Sequence, residues 1–252
     1  MQYSCGYWKT ATDLNTAQIH KLELIAKKLH LKPGMKVLDI GCGFGGLAKY
    51  LAKNYGVSVV GCTISKEQAQ FGEKLCEGLP VHFELCDYQK FRVAEKFDRI
   101  VSVGFMEHVG KFNYETLYKI AEDALTDDGI FLLHTMGRNT KKFPGTCKWS
   151  HVNIFPNGWL PKLEDLVVKA EDKFVVEDVH NFGADYYYTL AEWEKNFNAG
   201  WPKLRSKYGD RFYRVWTTYL QAAQGFLKSR NVHVYQIAYT KKGFVGGYQS
   251  CR

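Results

Sequence analysis

Apolar residues recur along this chain in two alternating rhythms. Leu14, Ile19, Leu22, Ile25, Ala26 and Leu29 fall close to helical spacing over residues 14–30, and Pro33-Gly34 ends that helix. Lys36-Val37-Leu38-Asp39-Ile40 then predicts a short strand. A turn, Gly41-Cys42-Gly43-Phe44-Gly45-Gly46, leads into a helix over about 46–55. Val57 to Val60 reads as the next strand, and Ser65 and Gln68 have capping-box spacing for the helix after it. Further strands are predicted at His82–Leu85, Phe97–Val103 and Ile130–Thr135, the last entered by an Asp127-Asp128-Gly129 turn.

The rhythm loosens after residue 136. Residues 137–160, rich in Gly, Pro, Lys and aromatics, read as an insertion. A helix near 162–170, a strand near 174–180, two helices within 186–229 and a strand at Val232–Tyr239 complete the pattern. No repeat or linker interrupts it. The expectation is one domain over 1–252, with 242–252 as a flexible Gly-rich tail. Strand–helix alternation with apolar strands predicts a doubly wound α/β fold. Its mostly parallel seven-stranded sheet is covered on both faces, with a helical addition near the C-terminus.

Composition adds little to the fold and something to partners. The chain carries 34 basic against 26 acidic residues, a net charge of +8. That favours anionic partners such as acidic metabolites or an anionic membrane surface. No RNA-binding signature or basic tail supports nucleic acid. Cysteines at 5, 42, 62, 76, 86, 147 and 251 form no CxxC pair, which argues against a structural zinc site, and no metal is expected. Their irregular spacing suggests free thiols in a reducing cytoplasm. No apolar run approaches membrane-spanning length, and the first residues have no signal-peptide pattern. An aromatic content of 15% fits either a packed core or an aromatic-lined ligand site.

The glycine turn carries the first chemistry. It follows a strand and opens a helix, so bare backbone can approach a ligand there. Gly41, Gly43 and Gly46 satisfy the GxGxxG spacing of a pyrophosphate dinucleotide site. Asp39, however, stands at the end of the strand, two residues before the first glycine, Gly41. A carboxylate there suits a cationic ligand, and S-adenosylmethionine has both an ammonium and a sulfonium. The next strand lacks the acid that usually takes ribose hydroxyls. Gln68 is a candidate for that role, and equally for a plain capping partner of Ser65.

Several segments together carry a resemblance. They are Met1-Gln2-Tyr3-Ser4-Cys5-Gly6-Tyr7-Trp8, Leu38 to Gly43, Val59 to Ser65, Asp98 to Gly104, Glu107-His108-Val109-Gly110, Leu133-His134-Thr135, Ile154 to Gly158 and Asn181 to Tyr186. In this order they resemble bacterial cyclopropane-fatty-acid synthases and, more distantly, mycolic acid cyclopropane synthases. The resemblance runs from residue 1 to about 239. It implies a class I S-adenosylmethionine methyltransferase fold and a peripheral enzyme acting on unsaturated phospholipid acyl chains. Cofactor contacts would fall on Tyr3, Ser4, Asp39, Gly41, Cys42, Gly43, Thr63, Ile64, Gln68, Tyr88 and Val103. A bicarbonate pocket would fall on Cys5, Glu107, His134 and Tyr186, with the backbone of Met136. Phe44 replaces a common Trp, and Ala223 stands where many relatives have Cys. The bacterial synthases also carry an N-terminal domain before the Tyr-Ser-Cys motif, so the chain is expected to be either a catalytic fragment or a naturally short form. A homodimer is left open.

The implied reaction makes demands that residue chemistry can meet. An alkene attacking a sulfonium methyl leaves a cation on the acyl chain, and a base must then take a proton from the transferred carbon. The site must be dry, must fix a weak base and must offer electron-rich faces. Taken singly, His134 in an apolar strand reads as a core histidine, Glu107 as a cap, Cys5 as a filler and Tyr186 as packing. Glu107 and His134 both fall at the carboxyl edge expected to bind ligands. A small-molecule N-methyltransferase and a lipid methyltransferase without ring closure are the competing readings. Membrane docking is expected through Arg138, Lys141, Lys142 and Lys148, with Phe143 and Trp149 among them.

Overall fold

The computed structural model describes residues 2–92, 95–140 and 146–252, the side chains of 146 and 147 excepted. Helix α1 (Leu14–Lys28) is capped by Asp13, whose carboxylate accepts the Thr16 N–H. Strand β1 (Lys36–Ile40) leads to α2 (Gly46–Tyr55), β2 (Ser58–Thr63) to α3 (Lys66–Leu75), and β3 (Val81–Leu85) to β4 (Phe97–Val103). The short α4 (Met106–Val109) and α5 (Tyr114–Ala124) precede β5 (Leu125–Arg138). Beyond it lie α6 (Thr146–Asn153), α7 (Leu163–Val168), β6 (Val175–Asn181), α8 (Asp185–Lys228) and β7 (Val232–Thr240).

Among the described residues the strands form one sheet in the order β3-β2-β1-β4-β5-β7-β6. All pairs are parallel except those of β7, which runs antiparallel to β5 and β6. The doubly wound α/β expectation therefore holds. Strand order reverses between β1 and β4, where such sheets bind ligands at their carboxyl edge. Side-chain alternation divides the core. Val37, Val59, Val101 and Leu132 pack against Leu22, Ile25, Leu47 and Leu51 on one face. Leu38, Ile100, Phe131 and Tyr239 meet Leu117, Tyr118 and Leu166 on the other.

Three features differ from their expected form. The Asp127-Asp128-Gly129 segment is not a free turn but lies inside β5, where a register shift opposite Phe97–Arg99 absorbs it. Pairing with β7 carries β5 on to Arg138, beyond its expected end. The expected face of α1 is buried at Leu22, Ile25, Ala26 and Leu29, but Ile19 is exposed, while Lys21 and Lys28 are wholly buried.

The two expected C-terminal helices form a hairpin. Gly209 breaks α8 with φ 72° and ψ 163°, and the arms return side by side. Tyr213 donates to Asn198 at 3.0 Å, and Gln221 and Gln224 both donate to Glu194 at 2.7 Å. Residues 241–252, expected to be a flexible tail, contain no helix or strand. They nevertheless lie against α1 and β6: Tyr248 stacks on His30 and donates to the Lys28 carbonyl, and Arg252 pairs with Asp178.

Candidate active site

The glycine turn sits at the β1 carboxyl edge. Gly41 and Cys42 both donate their amides to the Cys62 carbonyl, at 3.0 and 3.1 Å, which locks the turn to β2. These two amides are thus committed within the protein. The Cys42 thiol lies beneath Gly61, where an added Cβ would come within 2.8 Å of it. Gly41 is needed because a Cβ would strike the Phe105 ring at 2.5 Å. Gly43 differs: φ is 56°, and a Cβ there would meet no heavy atom within 4 Å. Its backbone borders open space that a ligand can fill.

Asp39 is 2% exposed and one carboxylate oxygen, Oδ2, has no partner. Burial pushes its pKa up to about 7, against the attraction of Lys21. A buried acceptor beside a bare glycine backbone suits the cationic end of S-adenosylmethionine. At the β2 edge, Ser65 accepts the Gln68 amide at 3.2 Å, as a cap should. The Gln68 side chain does not return to the Ser65 amide; it accepts the Thr63 hydroxyl at 2.9 Å, and Thr63 takes the Ser65 N–H. Gln68 therefore belongs to the strand edge rather than to a reciprocal capping box. Tyr88, set edge-on to Phe105, is buried, Val103 is half-buried and Ile64 is 79% exposed at the rim.

An N-terminal strap brings Tyr3, Ser4 and Cys5 to this edge. Tyr7 donates to the Ala17 carbonyl on α1, while Gly6 and the Trp8 indole both donate to the Thr189 hydroxyl on α8. The Trp8 amide bonds to Asp185. Ser4 is gripped from α1: its carbonyl accepts from Gln18 at 2.8 Å and its hydroxyl from Lys21 at 3.0 Å. Burial pushes the Lys21 pKa down to about 7. Lys21 and Gln18 were not legible as site residues. A lysine and a glutamine on an amphipathic helix read as solvent-facing, and only the strap's path over α1 buries them.

Beside the strap lies a mostly apolar cavity of about 260 Å³. Tyr3, Ser4, Cys5, Glu107, His134 and Tyr186 all line it, so the structure brings the four expected catalytic residues together. Glu107 on α4 accepts the Met136 amide at 2.6 Å through Oε1 and leaves Oε2 buried and unpartnered. Burial raises its pKa, against the hydrogen bond from Met136, one from its own backbone and the influence of the nearby Thr135 hydroxyl. The Met136 amide, expected to face an anion, is therefore committed to Glu107. The His134 ring accepts at Nδ1 from Gln236 at 3.2 Å, which leaves the proton on Nε2. Burial first, then the charges of Lys21 and Lys28, hold His134 well below its usual pKa, so it is neutral. Burial holds the Tyr186 phenol and the Cys5 thiol well above theirs, so both stay protonated. Cys5 donates to the Gly6 carbonyl at 3.1 Å and is no thiolate nucleophile.

The remaining wall is mostly apolar, with His108, Arg138, Ser150 and His151 as its polar members. Leu190, Tyr219, Ala222, Ala223 and Phe226 come from both arms of α8, and Trp149, Phe155 and Trp159 from the segment after β5. Trp159 donates its amide to the Glu107 carbonyl at 2.8 Å, which draws that segment across the sheet edge. Arg138 is not the exposed docking cation expected of it. It is 8% exposed, its Nε donates to the Leu160 carbonyl at 3.0 Å, and its guanidinium covers the Trp159 ring. The expected Lys141, Lys142 and Phe143 lie outside the described residues, Trp149 faces the cavity, and Lys148 is exposed. Among the described residues no cluster of His, Cys, Asp and Glu is arranged to hold a metal.

Comparison with known proteins gives this geometry a family. A family model described as mycolic acid cyclopropane synthetase matches residues 1–237. The chain is 49% identical over 241 residues to the cyclopropane-fatty-acyl-phospholipid synthase of Escherichia coli K12, covering 96% of this chain and 62% of that protein. It thus spans less than two thirds of that relative's length. Among solved structures, the cyclopropane synthase MmaA2 from Mycobacterium tuberculosis superposes with a TM-score of 0.90 at 28% identity, covering 95% of this chain and 90% of that one. Mycolic acid cyclopropane synthase CmaA1, solved with SAH and CTAB, gives 0.87 at 29% identity, covering 95% and 90%. With its glycine turn, strap and buried Glu107–His134 cavity on this sheet, the chain belongs to the mycolic acid cyclopropane synthetase family.

Proposed function

We propose that this chain transfers the methyl carbon of S-adenosylmethionine to a cis double bond of a phospholipid acyl chain and closes a cyclopropane ring, with bound bicarbonate as the base. The observation that carries the reading is Glu107 Oε2: a buried, unpartnered acceptor in an apolar cavity, beside a neutral His134 and a protonated Tyr186. An acyl chain needs the apolar wall, and an anionic base needs the polar floor.

Asp39, the Gly43 backbone, Thr63 with Gln68, Tyr88 and Val103 form the cofactor side, joined to the cavity through Ser4 and Tyr3. When bound, the cofactor supplies an electrophilic methyl on a sulfonium. The His134 Nε2–H and the Tyr186 hydroxyl donate to the base, and Glu107 Oε2 accepts its O–H. Each such charge-assisted bond is worth about 1.5–3 kcal/mol. The face of Tyr186 steadies positive charge on the acyl chain, by about 2 kcal/mol in a dry site. Cys5, kept as a thiol, closes the cavity beside the strap and adds no competing nucleophile. The Trp159 segment and α8 exclude water that would trap the cation.

The reading includes peripheral contact with an anionic membrane surface. Among the described residues no helix is long and apolar enough to cross a membrane, and the double bond lies within the bilayer. Lipids from cells expressing the chain test the function: unsaturated chains should gain one CH₂, and an unchanged lipid profile together with methylated small amines would contradict it.

A further inference from the structure

The tip of the α8 hairpin has chemistry that the cavity does not use. Over residues 195–214 the sequence places Lys195, Lys203, Arg205, Lys207, Arg211 and Arg214 against a single acid, Asp210. Arg205 pairs with Asp210, and Lys195 with Glu192. Lys203, Lys207, Arg211 and Arg214 are all exposed, and none is within ion-pair distance of a carboxylate among the described residues. Most of the chain's net charge of +8 is therefore concentrated on one projecting element.

Apolar groups lie among these charges. Leu204, Tyr208 and Phe212 are 36%, 44% and 37% exposed. Tyr208 packs on Phe212 with ring centroids 4.9 Å apart, and Lys207 lies over the Tyr208 ring at 5.2 Å. Beneath them Phe197, Trp201, Tyr213 and Trp216 stack between the arms and stiffen the hairpin. A rigid aromatic tip ringed by lysine and arginine suits the interface of an anionic lipid layer. The same two arms continue into the cavity wall at Leu190, Tyr219, Ala222 and Phe226. At 1.5 Å per residue, Gly209 stands about 15 Å beyond Tyr219 along the helix.

We infer that the 195–214 hairpin tip is the surface by which this chain docks on anionic phospholipid membranes, with Lys203, Lys207, Arg211 and Arg214 at the headgroups and Tyr208 and Phe212 at the interface. It is a different surface from the segment after β5, where Arg138 is buried. The inference rests on the lipid-modifying reading above and extends it by naming the surface.

Vesicle co-sedimentation of the purified chain tests it, with phosphatidylcholine alone and phosphatidylcholine mixed with phosphatidylglycerol. Each basic side chain near an anionic surface contributes about a five-fold change in partition, so K203Q/K207Q/R211Q/R214Q should bind the mixed vesicles at least ~100-fold more weakly. Wild type should lose binding as salt rises. Y208S/F212S should also weaken binding, at unchanged charge. Circular dichroism should show the quadruple variant folded, because its four residues are exposed, and it checks that Y208S/F212S keeps its helices, since Phe212 also stacks on Trp216. Wild-type-like partition of the quadruple variant would overturn the inference, as would failure of wild type to prefer anionic vesicles. A wild-type dimer in sedimentation that the quadruple variant converts to monomer would instead make this face an interface between copies. Turnover on unsaturated phospholipid in neutral detergent micelles separates the two claims. It should be equal in wild type and quadruple variant; its absence in wild type would overturn the functional reading, while partition still judges the hairpin.

Discussion

Glu107 accepts the Met136 backbone amide at 2.6 Å, so one carboxylate oxygen fixes α4 to the edge of β5 while the other is left in the cavity. This division of labour predicts the behaviour of Glu107→Gln. The glutamine carbonyl can keep the Met136 bond, but the second position becomes an NH₂ that cannot accept a proton-bearing base. Turnover should fall by about a hundred-fold or more, with cofactor affinity changed only a few-fold. Steady-state kinetics with calorimetry checks the split; equal losses in binding and rate would move Glu107 to the cofactor side.

Gly43 makes the opposite prediction. Its φ of 56° disfavours any side chain, and a Cβ would project into open space at the turn. Gly43→Val should weaken S-adenosylmethionine binding by about ten-fold or more, the factor that about 1.4 kcal/mol corresponds to. The overall fold should persist, because the added Cβ meets no heavy atom within 4 Å and the left-handed conformation costs only about 1–2 kcal/mol. Unchanged affinity by calorimetry would show that the cofactor does not approach this backbone.

Lys21 should behave as a positioning residue for the strap. Its ammonium holds the Ser4 hydroxyl and is the nearby positive charge for Asp39. Lys21→Met should raise the KM for S-adenosylmethionine about ten-fold while kcat falls less. Because Lys21 acts partly through Asp39, its effect in an Asp39→Asn background should be smaller, with a coupling of about 0.5–3 kcal/mol. Additive effects would show that the two residues act independently. Hydrogen exchange should also quicken at residues 4–8.

The fold was legible because its signals are local. Strand alternation, the glycine turn and the Ser65 cap each depend on neighbours within a few residues, and the structure places them where the pattern did. The floor of the site was legible only through its resemblance to a family, since Glu107, His134, Tyr186 and Cys5 are each ordinary alone. What escaped depends on contacts distant in sequence. Lys21 is buried by a strap whose path no helix pattern encodes. Gln236, which sets the His134 tautomer, lies 102 residues away on an antiparallel strand. Arg138 looked like a surface charge until β5 extended through it and Trp159 folded over it.

Stability should fall in acid. Burial first, then Lys28 and Arg252, push the His180 pKa down to about 3, and His134 is likewise held well below its usual value. Both are neutral when folded and protonate when unfolded, so their contribution is complete above about pH 6.5 and is lost as pH falls toward 3. Asp39, raised to about 7, acts in the opposite sense between about pH 4 and 7. His180→Asn should therefore flatten the acid loss of stability, on top of a pH-independent cost from losing the ring's packing on Tyr7 and Phe182. Urea denaturation at a series of pH values checks this; an acid limb as steep as that of wild type would contradict it.

Ring closure with loss of one methyl proton is the central claim, and isotope content measures it directly. The purified chain is given S-adenosylmethionine carrying a CD₃ group, unsaturated phospholipid vesicles and buffer with or without bicarbonate, and the lipid product is analysed by mass spectrometry and NMR. The expected product is a cyclopropane that retains two of the three deuteriums, formed faster when bicarbonate is restored. A product that keeps all three deuteriums and shows no ring protons, at a rate indifferent to bicarbonate, would contradict it.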